Sequence, residues 1–456
     1  MTKILLLVLD AVRFDSISKY LKLQKLSSIM YAKSFTKVYA SSSWTLPSMV
    51  ALFSGTYPFV RDPLSIRGRI HLVRILNRYN CKTLVINSGN TFLDISYLIE
   101  GFNKRVQLAS STLFKNITPL DAVKKALREM VRGPSTLINA FNLLYVIRDL
   151  YETIMYEKYP YVTFDKITAI LKKLKELKSK KHVFLYIHVM DCHHPWRVLP
   201  LFKDNLPSIF FATSLMYFNT LALSHKSLKT IRKVYELSLH KLMKEIIDLL
   251  LEIDSLIDDD FVIIITADHG EGFGLQRYDR FHEIYLPNKR VYTLYHDQLH
   301  IPLVIFTNNA KMEEKLRPVK DDILVSNIDI LPSIIDLAYE DALDRINKYI
   351  NGVSIFRLRE QGRNCVLAET PAYRIGLRWY GKAYTIIDRT RYKLTLHPLL
   401  GKKLTDIIKD PYEVNHLEDT LLLKDLYIKA KNAFWAEKRL NVLLKLSGIV
   451  KHLGVK

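Results

Sequence analysis

Five short apolar runs punctuate the chain: KILLLVLD at 3–10, KTLVINSG at 82–89, HVFLYIHVMD at 182–191, DFVIIITADHG at 260–270 and HIPLVIF at 300–306. Each has strand length and is dense in Ile, Val and Leu without alternation, the pattern of a strand covered on both faces. Between them, ITAILKKLKELKSK (167–180) and LSLHKLMKEIIDLLLEI (237–253) repeat apolar residues every three or four positions and predict amphipathic helices. Buried strands alternating with such helices predict an α/β fold, a sandwich on a mostly parallel sheet. Ligands of such sheets bind beyond the carboxyl ends of the strands. Three predicted strands end there in ionisable residues: Asp10, the Asp191–His194 group, and Asp268 with His269.

The texture changes after residue 345. CVLAETPAYRIGLRWYGKAYTIIDRTRYKLTLHP (365–398) alternates apolar and polar positions with Gly and Pro breaks, predicting short antiparallel strands. The expected organisation is a main domain over 1–345, a small α+β subdomain over 346–420, and a basic amphipathic helical tail over 421–456. Residues 107–160 read as a candidate lid insertion; their run STLINAFNLLYVI is long enough for a buried helix and short of a bilayer span.

Composition narrows the function classes. With 49% apolar residues among 456, the chain has material for a large core and is not of the disordered class. A net charge of +21 favours anionic partners, but the basic residues are spread along the chain and no nucleic-acid module is recognisable, so no specific nucleic-acid partner is expected. The three cysteines, Cys81, Cys192 and Cys365, have no paired spacing, which argues for a reducing, cytoplasmic setting. The opening MTKILLLVLDAV is too short to span a bilayer and reads as a strand, while contact of the basic tail with a membrane surface stays open. Oligomeric state leaves no mark in the sequence.

Two segments carry chemistry. In SSSWTLPSMVALFSG (41–55), a hydroxyl residue followed by Pro is a helix start, and Thr45 either caps that helix or reacts at it. Asp268 and His269 at a strand end, with Gly270 letting the chain turn, can face one cation together with Asp10 and the hydroxyl of Thr45. A cation there would stabilise the Thr45 alkoxide for attack on phosphorus or sulfur, aided by the N–H groups of the helix start. In HVMDCHHPW (188–196), an imidazole can protonate a leaving oxygen, or two imidazoles with Asp191 can hold a second metal.

Taken in order, VLDAVRFDS, TLPSMVALFSGTYP, HVMDCHHPW, TADHGE, YHDQLHIPLVIF, VSNIDILPSIIDL, NGVSIF and LTDIIKDPYEVNHLED resemble the sulfatase branch of the alkaline phosphatase superfamily, over most of the chain. That resemblance implies a three-layer α/β/α sandwich with a small C-terminal subdomain. It implies metal ligands at Asp10, Thr45, Asp268 and His269, a nucleophile at Thr45 and a functional His at His193. It also implies substrate contacts at His194 and at a basic residue among His282, Lys289, Arg290 and His296, with Asp191, His193 and His296 the candidates for a second metal. The cofactor implied is one or two divalent ions, Ca, Mn, Mg or Zn. Sulfatases of this family oxidise Cys or Ser to formylglycine in a Cys/Ser-x-Pro-Ser-Arg context, where this chain has Thr45 and Met49; Asp10 is followed by Ala11 instead of a second Asp. Both departures resemble phosphate-handling relatives with a Thr nucleophile, such as nucleotide phosphodiesterases and lipoteichoic acid synthase.

The function expected is therefore a metal-dependent hydrolase or transferase acting on anionic phosphate esters, glycan- or lipid-linked substrates included, through a covalent Thr45 intermediate. The alternatives are a sulfuric ester hydrolase using Thr45, and a catalytically silent protein that holds polyanions or glycans on the same fold.

Overall fold

The computed structural model describes residues 3–17, 20, 30–90, 92–108, 164–174, 177, 182–193, 225–257, 259–273, 283–286, 289–358, 362–375 and 378–434. The candidate lid beyond residue 108 and the tail beyond 434 lie outside them. The strands are β1 (Lys3–Leu9), β2 (Tyr31–Phe35), β3 (Lys37–Tyr39), β4 (Lys82–Asn87), β5 (Lys104–Gln107), β6 (Val183–Val189), β7 (Phe261–Ala267) and β8 (Glu283–Leu286). They continue with β9 (Lys289–Tyr292), β10 (Leu303–Thr307), β11 (Leu324–Ser326), β12 (Cys365–Ile375), β13 (Arg378–Asp388), β14 (Tyr392–His397) and β15 (Gly401–Asp406). The helices around the two sheets include α1 (Thr45–Ser54), α2 (Phe164–Lys173), α3 (His225–Leu256), α4 (His296–Leu299), α5 (Ile330–Ala338) and α6 (Thr420–Phe434).

A seven-stranded sheet in the order β2-β10-β7-β1-β6-β4-β5 forms the centre, with β7, β1, β6, β4 and β5 mutually parallel. Every residue of β1, β6 and β7 is buried, so helices cover the sheet on both faces, as continuous apolar strands require. One helical group joins α1 to α5, and another joins α2 to the 32-residue α3, longer than its apolar repeat over 237–253 suggested. The run at 300–306 departs from the parallel expectation, because β10 is antiparallel to both β7 and β2. The cause is local. The chain leaves β7 at its carboxyl end and reaches α4 at that same end, where Gly270 N donates to Gln298 O at 2.7 Å. Only a descending strand can follow, since a parallel one would need a full crossover.

The second sheet is antiparallel in the order β15-β14-β13-β12-β9-β8. It takes β8 and β9 from the segment between β7 and β10, so it is not built from residues 346–420 alone. Helix α6 packs on it through Leu423 and Leu426, buried among Leu394, Leu396 and Leu404. No helix among the described residues is long and apolar enough to cross a membrane.

His397, at the end of β14, shows how this sheet is tied to its turn. Its Nε2 lies 3.1 Å from the carbonyls of Tyr292 and Ala372, while Nδ1 accepts from the N–H groups of Leu399 and Leu400 at 3.0 and 3.1 Å. That pattern fits only a neutral ring, and burial pushes its pKa down to about 4 against the carbonyl bonds that would raise it. Between about 4 and the ordinary 6.5 the unfolded chain binds a proton that the folded chain does not, so stability is lost as pH falls through that window. Urea unfolding from about pH 7 to about pH 4.5 should show a steeper loss in the parent than in His397→Gln, the difference approaching one proton in the linkage slope.

Candidate active site

The sheet register builds the centre of the site. Strands β1 and β7 are neighbours with Leu9 opposite Ala267, so the next residues, Asp10 and Asp268, leave the sheet side by side. His269 follows directly, and ligand atoms of Asp10, Asp268 and His269 lie within 4.8 Å of one another, all three residues being buried. His269 Nε2 is 3.8 Å from Asp10 Oδ1 and 3.6 Å from Asp268 Oδ2. Its Nδ1 donates to Gly270 O at 2.6 Å, which assigns the proton to Nδ1 and turns the Nε2 lone pair into the cluster.

Each carboxylate is held by one oxygen. Asp10 Oδ2 accepts from Asn90 Nδ2 at 2.8 Å and lies 3.0 Å from His188 Nε2, whose Nδ1 meets the Tyr186 hydroxyl at 2.8 Å. Asp268 Oδ1 accepts from the N–H groups of Ala11 at 3.1 Å and His269 at 2.8 Å. Ala11 adopts φ +58° to make this contact, a left-handed backbone that costs an alanine energy, and Tyr235 OH braces it by donating to Ala11 O at 3.0 Å. The other two oxygens, Asp10 Oδ1 and Asp268 Oδ2, are buried with no hydrogen-bond partner among the described residues. Both belong to the cluster formed with His269.

Orphaned carboxylate oxygens in a buried site are costly unless a cation compensates them. The two acids respond in opposite directions. Burial pushes Asp10 up, but the imidazoles of His193, His188 and His269 and the His188 hydrogen bond overcome it and hold the carboxyl well below the ordinary range. Asp268 is pushed up by burial and by the Asp10 charge. Burial would lower His269, yet the two carboxylates raise it. Two hard oxygens and one imidazole nitrogen form a donor set suited to a divalent ion. The residues present therefore fit such a group.

Thr45 lies beside this cluster, and it is not the cap of its helix. Trp44 occupies the N-cap and makes no side-chain cap, so Thr45 is the first residue of α1 and caps nothing. Its Oγ1 instead stands 3.3 Å from His269 Nε2. The helix is fixed by partners distant in sequence. Asn327 Nδ2 donates to Ser48 Oγ at 2.8 Å and to Ser48 O at 3.2 Å, while Asn327 Oδ1 accepts from Ser41 N at 2.9 Å. Ser48 Oγ donates in turn to Asp268 O. Strand β12 reaches the same segment: Glu369 N donates to Ser41 O at 2.8 Å and Trp44 Nε1 to Thr370 Oγ1 at 3.2 Å.

The remaining candidates divide. His193, half-buried in the turn after β6, acts electrostatically on Asp10. Asp191, His193 and His296 do not bring ligand atoms together as Asp10, Asp268 and His269 do, so the expected second metal group is not formed among the described residues. His296 opens α4 beside Tyr39 and His300, with ring centroids 5.7 and 4.8 Å away. The backbones of Lys289 and Arg290 run in β9, and His194 and His282 lie outside the described residues. The sequence does not single out Asn90, Tyr235 or Asn327, and it offers His188 only as one of the imidazoles of HVMDCHHPW. His188 sits in the apolar run ahead of Asp191.

A mostly parallel sheet whose strand ends present Asp and Asp-His beside a helix-borne Thr is the arrangement expected from the sulfatase resemblance. The family model described as Sulfatase matches residues 4–340, and the chain belongs to that family. No curated protein matches it closely enough to count as a relative. Among solved structures it is similar to the phosphonate monoester hydrolase of Agrobacterium radiobacter, with 16% identity, 95% of each chain covered and a TM-score of 0.62. It is also similar to a protein solved with its substrate D-glucosamine-2-N,6-O-disulfate, at 14% identity, 97% of each chain and a TM-score of 0.58. A third is the C-terminal periplasmic domain of EptC from Escherichia coli in complex with zinc, at 10% identity, 78% of this chain and 85% of that one, with a TM-score of 0.50.

Replacing Asn327 by Ala removes three hydrogen bonds around buried groups. We expect Asn327→Ala to destabilise the chain by about 1–3 kcal/mol, read from the midpoint of chemical unfolding.

Proposed function

We propose that the chain is a metal-dependent hydrolase of phosphate esters in which Thr45 is the nucleophile. The observation that carries the reading is the Thr45 hydroxyl, uncapped at the start of α1 and 3.3 Å from His269 Nε2. Asp10, Asp268 and His269 would hold a divalent ion, whose chemistry is to lower the pKa of an alcohol and to offset charge on a phosphoryl group. Thr45, at the N-terminus of α1, lies where N–H groups also favour an oxyanion. As alkoxide, Thr45 Oγ1 forms a bond to phosphorus while the ester oxygen departs in line. His193, whose charge acts on Asp10, is the group proposed to give that oxygen a proton. Water then cleaves the phosphothreonine and returns the hydroxyl; an alcohol in the place of water would make the reaction a transfer.

Phosphorus is favoured over sulfur by this chain's own residues. Thr45 carries a methyl on Cβ and cannot become the formylglycine aldehyde on which family sulfatases rely. Met49 is fully buried in the hydrophobic core and offers no positive charge where those sulfatases place Arg. The phosphonate ester hydrolase among the structural neighbours is consistent with a phosphorus centre. The +21 charge suits an anionic substrate, glycan- or lipid-linked ones included.

The test is turnover of aryl phosphate, phosphonate monoester, phosphodiester and aryl sulfate substrates by the parent, Thr45→Ala and Thr45→Ser. We expect a phosphorus ester to be preferred, Thr45→Ala to lose about a thousandfold or more in rate with folding and metal uptake intact, and Thr45→Ser to keep measurable activity. Full activity in Thr45→Ala would sink the covalent mechanism, and preference for aryl sulfate would favour sulfate-ester hydrolysis by Thr45. Metal-free, inactive parent protein would point to the silent polyanion binder.

A further inference from the structure

Near the described C-terminus, the segment IIKDPYEVNHLED carries one residue with no place in the chemistry above. Glu413 is buried, in a loop that follows β15, and holds φ at +56°, the left-handed region that costs a non-glycine residue energy. Its carboxylate accepts from Lys393 Nζ through both oxygens, at 2.7 and 2.6 Å. Lys393, on β14, is likewise buried, so this is an ion pair taken wholly out of water. Removing one partner of such a pair is far more damaging than its net contribution suggests. The same Glu413 Oε1 accepts from the backbone N–H of His296, the first residue of α4 and 117 positions away.

What α4 touches gives this contact its meaning. Gln298 O accepts from Gly270 N at 2.7 Å, and a Cβ on Gly270 would stand 2.2 Å from Asp297 O, so the helix presses directly on the residue after His269. On the far side Asp297 Oδ2 accepts from Arg13 Nη1 at 3.3 Å, and the same Nη1 donates to Glu271 O at 2.9 Å. Helix α4 therefore holds the backbone that follows His269, directly at Gly270 and through Arg13 at Glu271. Four residues cannot hold a direction by themselves, because a single turn is unstable without outside contacts.

We propose that Glu413, locked by Lys393, is a positioning residue for the metal centre: it pins the start of α4, and α4 fixes the His269–Glu271 loop. The proposal rests on the reading that Asp10, Asp268 and His269 hold a divalent ion. It gives the C-terminal sheet a part in metal affinity, although none of its residues belongs to the donor cluster. Partners that orient metal ligands from behind commonly change affinity by about ten- to a hundredfold when lost.

The experiment is calorimetric titration of metal-stripped full-length protein with Mn2+, without substrate, for the parent, Glu413→Ala, His296→Pro and His296→Ala. His296→Pro deletes the N–H that Glu413 accepts, yet suits the first position of a helix and leaves the ion pair intact. Tyr295, at φ −71° and ψ 157°, already has the backbone that precedes proline. His296→Ala loses the same imidazole and keeps the N–H. The expected result is Mn2+ affinity weakened about tenfold or more in Glu413→Ala and His296→Pro, with His296→Ala within about threefold of the parent. If Glu413→Ala does not fold, the comparison of His296→Pro with His296→Ala decides the matter. Equal affinity in those two variants overturns the clamp alone, whereas a parent that takes up no Mn2+ overturns the metal reading and the clamp with it.

Discussion

Two carboxylates side by side in a buried place are the constraint on which the rest of the site depends. The pairing of β1 with β7 makes their meeting unavoidable, because Asp10 and Asp268 follow directly on opposed residues of adjacent strands. Each acid spends one oxygen on fixed donors, from Asn90 and His188 in one case and from backbone N–H groups in the other. The surrounding oddities follow from that arrangement. Ala11 is twisted into a left-handed conformation to supply a donor, and Tyr235 crosses from α3 to brace it. The second oxygens remain turned into the cluster, and like charges so close are tolerable in a dry interior only with a compensating positive charge.

Much of this is legible in the sequence. The unbroken apolar runs of β1, β6 and β7 carried both their burial and their parallel pairing, and the residues at their ends marked the crevice. The direction of β10 was not legible, since an apolar run looks the same in either orientation and only the position of α4 decides it. The helix start at 41–55 was readable as a helix start, but not as one whose cap is Trp44, because the preference for hydroxyl caps points to Thr45. Asn327 could not be found by spacing at all. Its three bonds reach Ser41 and Ser48, 286 and 279 positions away, and a lone Asn in an apolar stretch reads as a turn.

The second sheet was legible as a change of texture and obscured in its extent. Alternation over 365–398 announced antiparallel strands, yet nothing in the short segment 283–292 tied it to them. In three dimensions β9 pairs with β12, and β12 also supplies partners for Ser41 and Trp44 beside Thr45. The family motifs spread from Asp10 to Glu413 thus correspond to one connected body of contacts, more than to a catalytic unit with an appendage.

That β8 and β9 belong to a sheet completed by strands a hundred residues further on also bears on synthesis. On the ribosome the central sheet can pair up to β10 while its hairpin has no neighbour, for β12 to β15 are still unmade. Thr45, Asp10 and His269 then exist as residues, but the braces on Ser41, Trp44 and α4 do not. A nascent or prematurely ended chain would therefore carry the donor residues without the contacts that hold Ser41, Trp44 and the start of α4 in place.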